Sequence, residues 1–253
     1  MQTTTNTVLI TGGATGIGLA LAQALHGLGN TVIICGRRAG RLRAAQALLS
    51  GLHTRTCDVA DAGQRAALAA WVTAAFPALN ILVNNAGIQR ELDFASTDGT
   101  LDASPEIDTN FAAPVHLTAL LLPHLRRQAA AAVINVTSGL GFVPLAAVPV
   151  YCATKAALHS FSVSLRHQLR ATAVRVFEVI PPIVETDLDQ GARARRGQKT
   201  DGLAPEAVAA ATLDALRHDR YEAPVGKARL LRLGARLAPA RFLELLNRAA
   251  GGD

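Results

Sequence analysis

Apolar and polar positions along this 253-residue chain fall into alternating blocks. Short runs rich in β-branched residues occupy positions 7–11, 31–35, 54–57, 81–84, 133–137 and 174–180, and each reads as a strand. Between them lie Ala- and Leu-rich stretches with helical spacing, at about 17–29, 39–50, 61–76, 104–127 and 152–171. Strands that are apolar throughout and separated by helices argue for a parallel sheet covered on both faces. Right-handed crossovers then predict an α/β fold, a doubly wound parallel sheet in a single domain. A weaker strand at 221–225 follows a helix that starts near Pro205, and no repeat or linker divides the chain. The stretch at about 181–204 is long and polar and carries the basic run from Gly191 to Lys199, with Arg193, Arg195 and Arg196. A loop of that length reads as a functional lid or as a disordered segment. Helical spacing resumes at about 228–249, with Leu230, Leu233 and Leu237 on one stripe, Arg229, Arg232 and Arg236 on the adjacent one, and Pro239 as an interruption.

Composition narrows the class. Hydrophobic residues make up 50% and charged residues 17%, which excludes a disordered or fibrous chain. No apolar run approaches the roughly 18 residues of a membrane span, and the first residues lack a secretory signal. Cys35, Cys57 and Cys152 are too scattered for a disulfide framework or a metal cluster and read as small buried residues. The seven histidines show no metal-ligand spacing; His159 and His167 read as surface or oligomer contacts. No metal is expected, and the chain reads as soluble, globular and cytoplasmic. The net charge is +6, yet residues 193–253 alone carry 12 Lys+Arg against 7 Asp+Glu. Aromatics at 4% and the lack of a nucleic-acid signature argue against nucleic acid as a partner. The basic C-terminal quarter suits an anionic ligand or a membrane surface, or serves nothing specific. Of 25 cations only Lys155, Lys199 and Lys227 are lysines, and Tyr151 and Tyr221 are the only tyrosines.

The first strand runs into Thr11-Gly12-Gly13-Ala14-Thr15-Gly16-Ile17-Gly18 and then a helix. Glycines at 12, 16 and 18 permit a sharp turn and close backbone approach to a pyrophosphate at the helix N-terminus. The plain alternative is a tight turn with no ligand. Strand-to-helix placement is the context a dinucleotide-binding, Rossmann-type motif requires.

With that motif the chain resembles the short-chain dehydrogenase/reductase family over about residues 6–225. The resemblance implies a nicotinamide cofactor held by Thr11, Gly12, Thr15, Gly16, Ile17 and Gly18. The second strand ends Cys35-Gly36-Arg37-Arg38, with Gly36 where an NAD-selecting acid stands and two guanidiniums suited to a 2′-phosphate. NADP(H) is therefore preferred, without excluding NAD(H), since the family's other basic position is Thr15 here. Asp58, next to Val59, resembles the family's adenine contact; it also reads as a turn carboxylate. Asn84-Asn85-Ala86-Gly87 matches the motif that steadies the sheet and lines the cofactor cleft.

Tyr151 and Lys155 are four residues apart, one turn of helix on the same face. A phenol with a pKa near 10 needs roughly 4 kcal/mol of preference for its anion to exchange protons at neutral pH. A neighbouring ammonium in a cleft supplies part of that. Ser138, 13 residues before Tyr151, resembles the family's substrate-orienting serine, with Thr137 a competing hydroxyl. Asn110 resembles the position that organises a proton-relay water; the alternative is a buried amide bonding nearby backbone.

After the sixth strand the family's Pro-Gly is Pro181-Pro182 here, followed by Ile183 and Thr186. By resemblance Pro181, Ile183 and Thr186 join the cofactor set with Asn85, Ala86, Gly87, Tyr151 and Lys155. This variant, with Asn85 to Arg90 and Ala156 to Phe161, is similar to the DltE-like branch, which does not define a substrate. Leu140, Phe142, Val143, Pro144 and Leu145 form an apolar stretch. If it walls the pocket, Leu140 and Phe142 join Ser138 and Tyr151 in holding a largely hydrophobic small-molecule ketone, aldehyde or alcohol. The expectation is an NADP(H)-dependent oxidoreductase, a homodimer or homotetramer by resemblance. The alternative is a sensor or scaffold that binds NADPH without turnover.

Overall fold

The computed structural model describes residues 1–188 and 202–250; the basic run at 191–199, and with it most of the expected lid, lies outside the described residues. In chain order the elements are β1 (Thr7–Thr11), α1 (Gly16–Gly27), β2 (Thr31–Gly36), α2 (Ala39–Leu48), β3 (His53–Thr56), α3 (Ala62–Ala75), β4 (Leu79–Asn84) and α4 (Ser104–Ile107). A π-helical turn, Asp108–Ala112, leads into α5 (Ala113–Leu125). Then come β5 (Ala131–Val136), a 3₁₀ turn (Gly139–Gly141), α6 (Pro149–Gln168), β6 (Val174–Ile180), α7 (Pro205–Arg217), β7 (Glu222–Pro224), α8 (Ala228–Leu237) and α9 (Pro239–Ala249).

All described strand pairs are parallel, in the order β3-β2-β1-β4-β5-β6-β7. Alternate β1 side chains feed two cores. Val8 and Ile10 pack with Leu21 and Leu25 of α1 and with Val208 and Leu216 of α7. Leu9 packs on the other face with Leu68 of α3, Leu117 and Leu121 of α5 and Leu165 of α6. Both faces of the sheet are thus covered, as the continuous apolar runs predict. Strand order reverses between β1 and β4, and the crevice beyond their carboxyl ends is where such sheets bind ligands. A polar ladder steadies the centre: Asn84 donates to Thr118 Oγ1 (3.1 Å) and Asn135 Oδ1 (2.8 Å), and Asn135 donates to Ser162 Oγ (2.8 Å).

Two expectations need correction. Strand β3 reads His-Thr-Arg-Thr and is largely exposed, because it pairs only with β2 at the sheet edge, where polar residues guard against further pairing. The single helix expected at 104–127 is broken by the π turn at Asp108–Ala112. Pro114 has no N–H, so the Asn110 carbonyl cannot receive the bond an α-helix would give it.

Helices α8 and α9 pack on each other at Gly234. A Cβ built there would lie 2.2–2.4 Å from three ring atoms of Phe242. Gly234→Ala gains helix propensity of about 1 kcal/mol but meets the root of the ring, and overpacking of this kind costs about 1–3 kcal/mol. Hydrogen exchange across 228–250 is expected to quicken in this variant while strands β1 and β4 keep their protection; unchanged exchange across 228–250 would show that the contact does not hold the pair.

Candidate active site

A cleft of about 850 Å³ opens over the carboxyl ends of the central strands. At one end the glycine turn joins β1 to α1. Gly12 (φ +64°) and Gly16 (φ +53°) adopt left-handed backbone that favours glycine. A Cβ at Gly12 would sit 2.9 Å from the Ala86 Cα, and one at Gly18 would sit 2.4 Å from the Gly12 carbonyl oxygen. At Gly16 it would meet Thr186 Cγ2 at 2.8 Å, so the segment after β6 closes directly on the turn. The helix N-terminus therefore faces a cradle whose floor admits no side chains, the form a pyrophosphate needs.

Most residues singled out in the sequence line this cleft: Thr15, Gly16, Ile17, Arg37, Arg38, Asp58, Val59, Ala86, Gly87, Ser138, Leu140, Tyr151, Lys155, Pro181, Ile183 and Thr186, with Gly12 and Asn85. Thr11, Gly18 and Asn110 stand behind its walls. Thr11 Oγ1 accepts the Asn85 and Ala86 N–H groups, each at 3.0 Å, and the Asn85 amide donates to the Thr11 carbonyl at 2.9 Å. Asn110 clasps Ile88, with Oδ1 accepting its N–H and Nδ2 donating to its carbonyl, both at 2.8 Å.

Beyond β2, Arg37 and Arg38 reach solvent. Arg37 lies 3.9 Å from Asp58, whose other carboxylate oxygen accepts the Ala60 N–H at 3.0 Å, so Asp58 also serves as a turn carboxylate. A Cβ at Gly36 would meet nothing within 4 Å. Open space thus stands where an acid would point. Arg41, for which the sequence pattern offered no signal, also lines this end and faces Asp187 at 3.8 Å.

At the other end Ser138, Tyr151 and Lys155 converge. Tyr151 and Lys155 are buried on α6, with the Lys155 ammonium 5.6 Å from the Tyr151 ring centroid and donating to the Val136 carbonyl at 2.9 Å. Burial pushes the Lys155 ammonium down to about 8, so at neutral pH most molecules keep the charge. Ser138 Oγ accepts the Leu140 N–H at 3.1 Å, which leaves its hydroxyl proton to donate elsewhere. Thr137 is committed: its hydroxyl donates to buried Glu178 at 2.7 Å, and the other carboxylate oxygen bonds His159 at 2.8 Å. His159, expected at a surface, is partly buried, and Glu178 raises its affinity for a proton.

Phe142 is misplaced in the expected substrate wall, since it does not line the cleft. Its ring meets His159 edge-on at a centroid distance of 4.7 Å, and Arg232 lies 6.0 Å from it. Leu140 and Leu145 do line the cleft, joined by Lys227, Leu231, Leu246, Ala249 and Ala250 from the C-terminal segment. The Leu230, Leu233 and Leu237 stripe is exposed instead. Among the described residues no cluster of His, Cys, Asp or Glu could hold a metal ion, and no helix is long and apolar enough to cross a membrane.

This is a Rossmann-type sheet with a phosphate cradle at its switch point. A family model described as short chain dehydrogenase matches residues 6–197, and the chain belongs to that family of oxidoreductases. It is 51% identical over 248 residues to an oxidoreductase of Bacillus subtilis (strain 168), DltE, described as uncharacterized, with 98% of each chain covered. It is 33% identical over 213 residues to the NADP-dependent 3-hydroxy acid dehydrogenase YdfG of Escherichia coli (strain K12), covering 81% of this chain and 86% of that one. A crystal structure of a short chain dehydrogenase/reductase from Burkholderia phymatum in complex with NAD shares the fold, with TM-score 0.86, 24% identity and coverage of 97% and 96%.

The buried ammonium makes stability depend on pH. An unfolded lysine holds its proton to about pH 10.4, whereas Lys155 releases it near 8 in the folded protein. Between those values the unfolded chain binds more protons, so stability rises with pH by up to about 3 kcal/mol. Denaturant unfolding of the cofactor-free protein should show this rise relative to Lys155→Met between pH 8 and 10.4; parallel curves would mean that Lys155 titrates as if solvated.

Proposed function

We propose that the chain interconverts a ketone or aldehyde with its alcohol, using NADP(H), with Tyr151 as the general acid–base. The observation that carries this reading is the convergence of Ser138, Tyr151 and Lys155 on one wall of a cleft whose far end is a glycine-built cradle. The cradle residues fit a dinucleotide, because side chains at Gly12, Gly16 and Gly18 would fill the floor. When bound, the nicotinamide supplies or accepts the hydride.

The remaining work falls to side chains. Ser138 donates its hydroxyl proton to the substrate oxygen and fixes it near Tyr151. Tyr151 gives its phenolic proton to that oxygen in reduction and takes it back in oxidation. Lys155 favours the phenolate by its charge. The ammonium lies 5.6 Å from the ring centroid, and a neighbouring positive charge stabilises the phenolate over the neutral phenol. Asn110 holds the Ile88 backbone and so the Gly87–Ile88 wall beside Lys155, a positioning role. Arg37 and Arg38, beside the open space at Gly36, favour a 2′-phosphate over a bare ribose. The NADP-dependent relative YdfG points the same way.

The test is NADPH consumption over a panel of ketones and aldehydes. Tyr151→Phe is expected to lower turnover by about 10²–10⁴-fold with cofactor affinity retained; undiminished turnover would remove Tyr151 from the mechanism. Gly36→Asp has room for its carboxylate, which would repel the 2′-phosphate and accept the ribose hydroxyls. The ratio of kcat/KM for NADPH over NADH should fall at least about 100-fold, and an unchanged ratio would show that this corner does not read the phosphate.

A further inference from the structure

Charges along the cleft are not evenly distributed. At the glycine-turn end, Arg37 faces Asp58 and Arg41 faces Asp187, so the two described acids lining the cleft are already matched. Around Ser138 and Tyr151 the lining turns apolar, with Leu140, Leu145, Leu231, Leu246 and Ala249. Two cations stand among them: Lys155, already held beside Tyr151 by the Val136 carbonyl, and Lys227. Lys227 lines the cleft and has no ion-pair partner among the described residues, whereas Arg232 is tied to Glu222 and Arg229 donates to the Pro224 carbonyl.

The backbone fixes where Lys227 stands. Val225 N–H donates to the Ile180 carbonyl at 2.9 Å, which ties the end of β7 to the end of β6. Gly226, at φ +51°, then turns the chain into α8. That helix lies against the residue after Ser138: a Cβ at Gly139 would be 2.9 Å from Leu231 Cδ1 and 3.5 Å from the Ala228 Cβ. Lys227 is thereby anchored one residue from the point where α8 touches the Ser138 loop. The first N–H groups of α8, on Ala228, Arg229 and Leu230, donate to the carbonyls of Val225, Gly226 and Lys227. The ammonium, not the backbone, is the available donor.

We propose that Lys227 is the anion-binding residue of the substrate end, and that the substrate pairs its reacting carbonyl or hydroxyl with a carboxylate on an otherwise apolar frame. This inference rests on the oxidoreductase reading above and adds the substrate class to it. A compact ammonium on a flexible stem takes a single charged oxygen without demanding a planar, two-point fit. The N-terminal end of the α8 dipole adds a weaker positive potential of the same sign. Lys227 is exposed at the rim, so the pair would form at the mouth of the cleft, next to the apolar lining.

The experiment compares 3-hydroxybutyrate with its neutral methyl ester, using NADP⁺ and the full chain. In the wild type kcat/KM should favour the acid. In Lys227→Met the acid-to-ester ratio should fall at least about tenfold, and Lys227→Arg should restore most of it. A ratio that does not move in Lys227→Met overturns the proposal while leaving the oxidoreductase reading intact. Calorimetric binding of 3-hydroxybutyrate to the NADP⁺-loaded protein decides between the outcomes even if neither compound turns over. At least about tenfold weaker binding in Lys227→Met supports the anion site; equal binding in wild type and variant, or none in either, overturns it.

Discussion

The site depends on how one hydroxyl is used where the strand order reverses. Beyond the ends of β1 and β4 the two strands part to opposite sides of the sheet; the Gly12 N–H still reaches the Cys35 carbonyl of β2 at 2.8 Å, whereas the N–H groups just beyond β4 turn to a side chain. Thr11 Oγ1 accepts two of these, from Asn85 and Ala86, and donates to the Val83 carbonyl at 3.3 Å. Two acceptances and one donation are all that a hydroxyl can make. The glycine turn and the Asn85–Gly87 segment are thereby locked together so closely that Gly12 cannot carry a side chain. Both sides of the cleft are referred to this junction, because the Arg37 and Asp58 segments follow strands built outward from β1, and α6, the Ser138 loop and the segment after β6 hang from strands built outward from β4.

The division of labour between neighbouring hydroxyls follows from a buried carboxylate. Glu178, fully enclosed, would be costly without partners. Thr137 and His159 provide them, and that commitment leaves the Thr137 hydroxyl no proton to offer the cleft. Among the described residues Ser138, one residue on, bonds only its own turn through the Leu140 N–H and keeps its proton for the cleft. The same carboxylate explains Phe142: His159 is held against β6, and the Phe142 ring packs on His159 instead of turning towards the substrate end.

What could be read from the chain alone was what is local. Strand periodicity, the glycine turn and the Tyr151–Lys155 spacing each depend on neighbours within a few residues, and the structure brings them to one cleft. What escaped depends on distant partners. Nothing near Phe142 in sequence reveals His159 and Arg232. The break at Asp108–Ala112 was visible in Pro114, but the helical spacing around it concealed the signal. Arg41 and Lys227 look like ordinary solvated cations until the fold sets them on the rim.

The C-terminal helices show that a leucine stripe need not mark the buried face. A leucine stripe at spacings of three and four normally marks the buried side of a helix. In α8 the inward side instead carries Ala228, Leu231 and Gly234, because close approach is what the fold requires there. Ala228 and Leu231 press against Gly139, and Gly234 admits the ring of Phe242. Small residues give a weak apolar signal in sequence, whereas the conspicuous leucines, Leu230, Leu233 and Leu237, are the exposed ones. The tight contact has a functional consequence. By bringing α8 against the loop that carries Ser138, it fixes the Lys227 backbone at the rim of the cleft. A bulkier inner face would hold the helix away and take that cation with it.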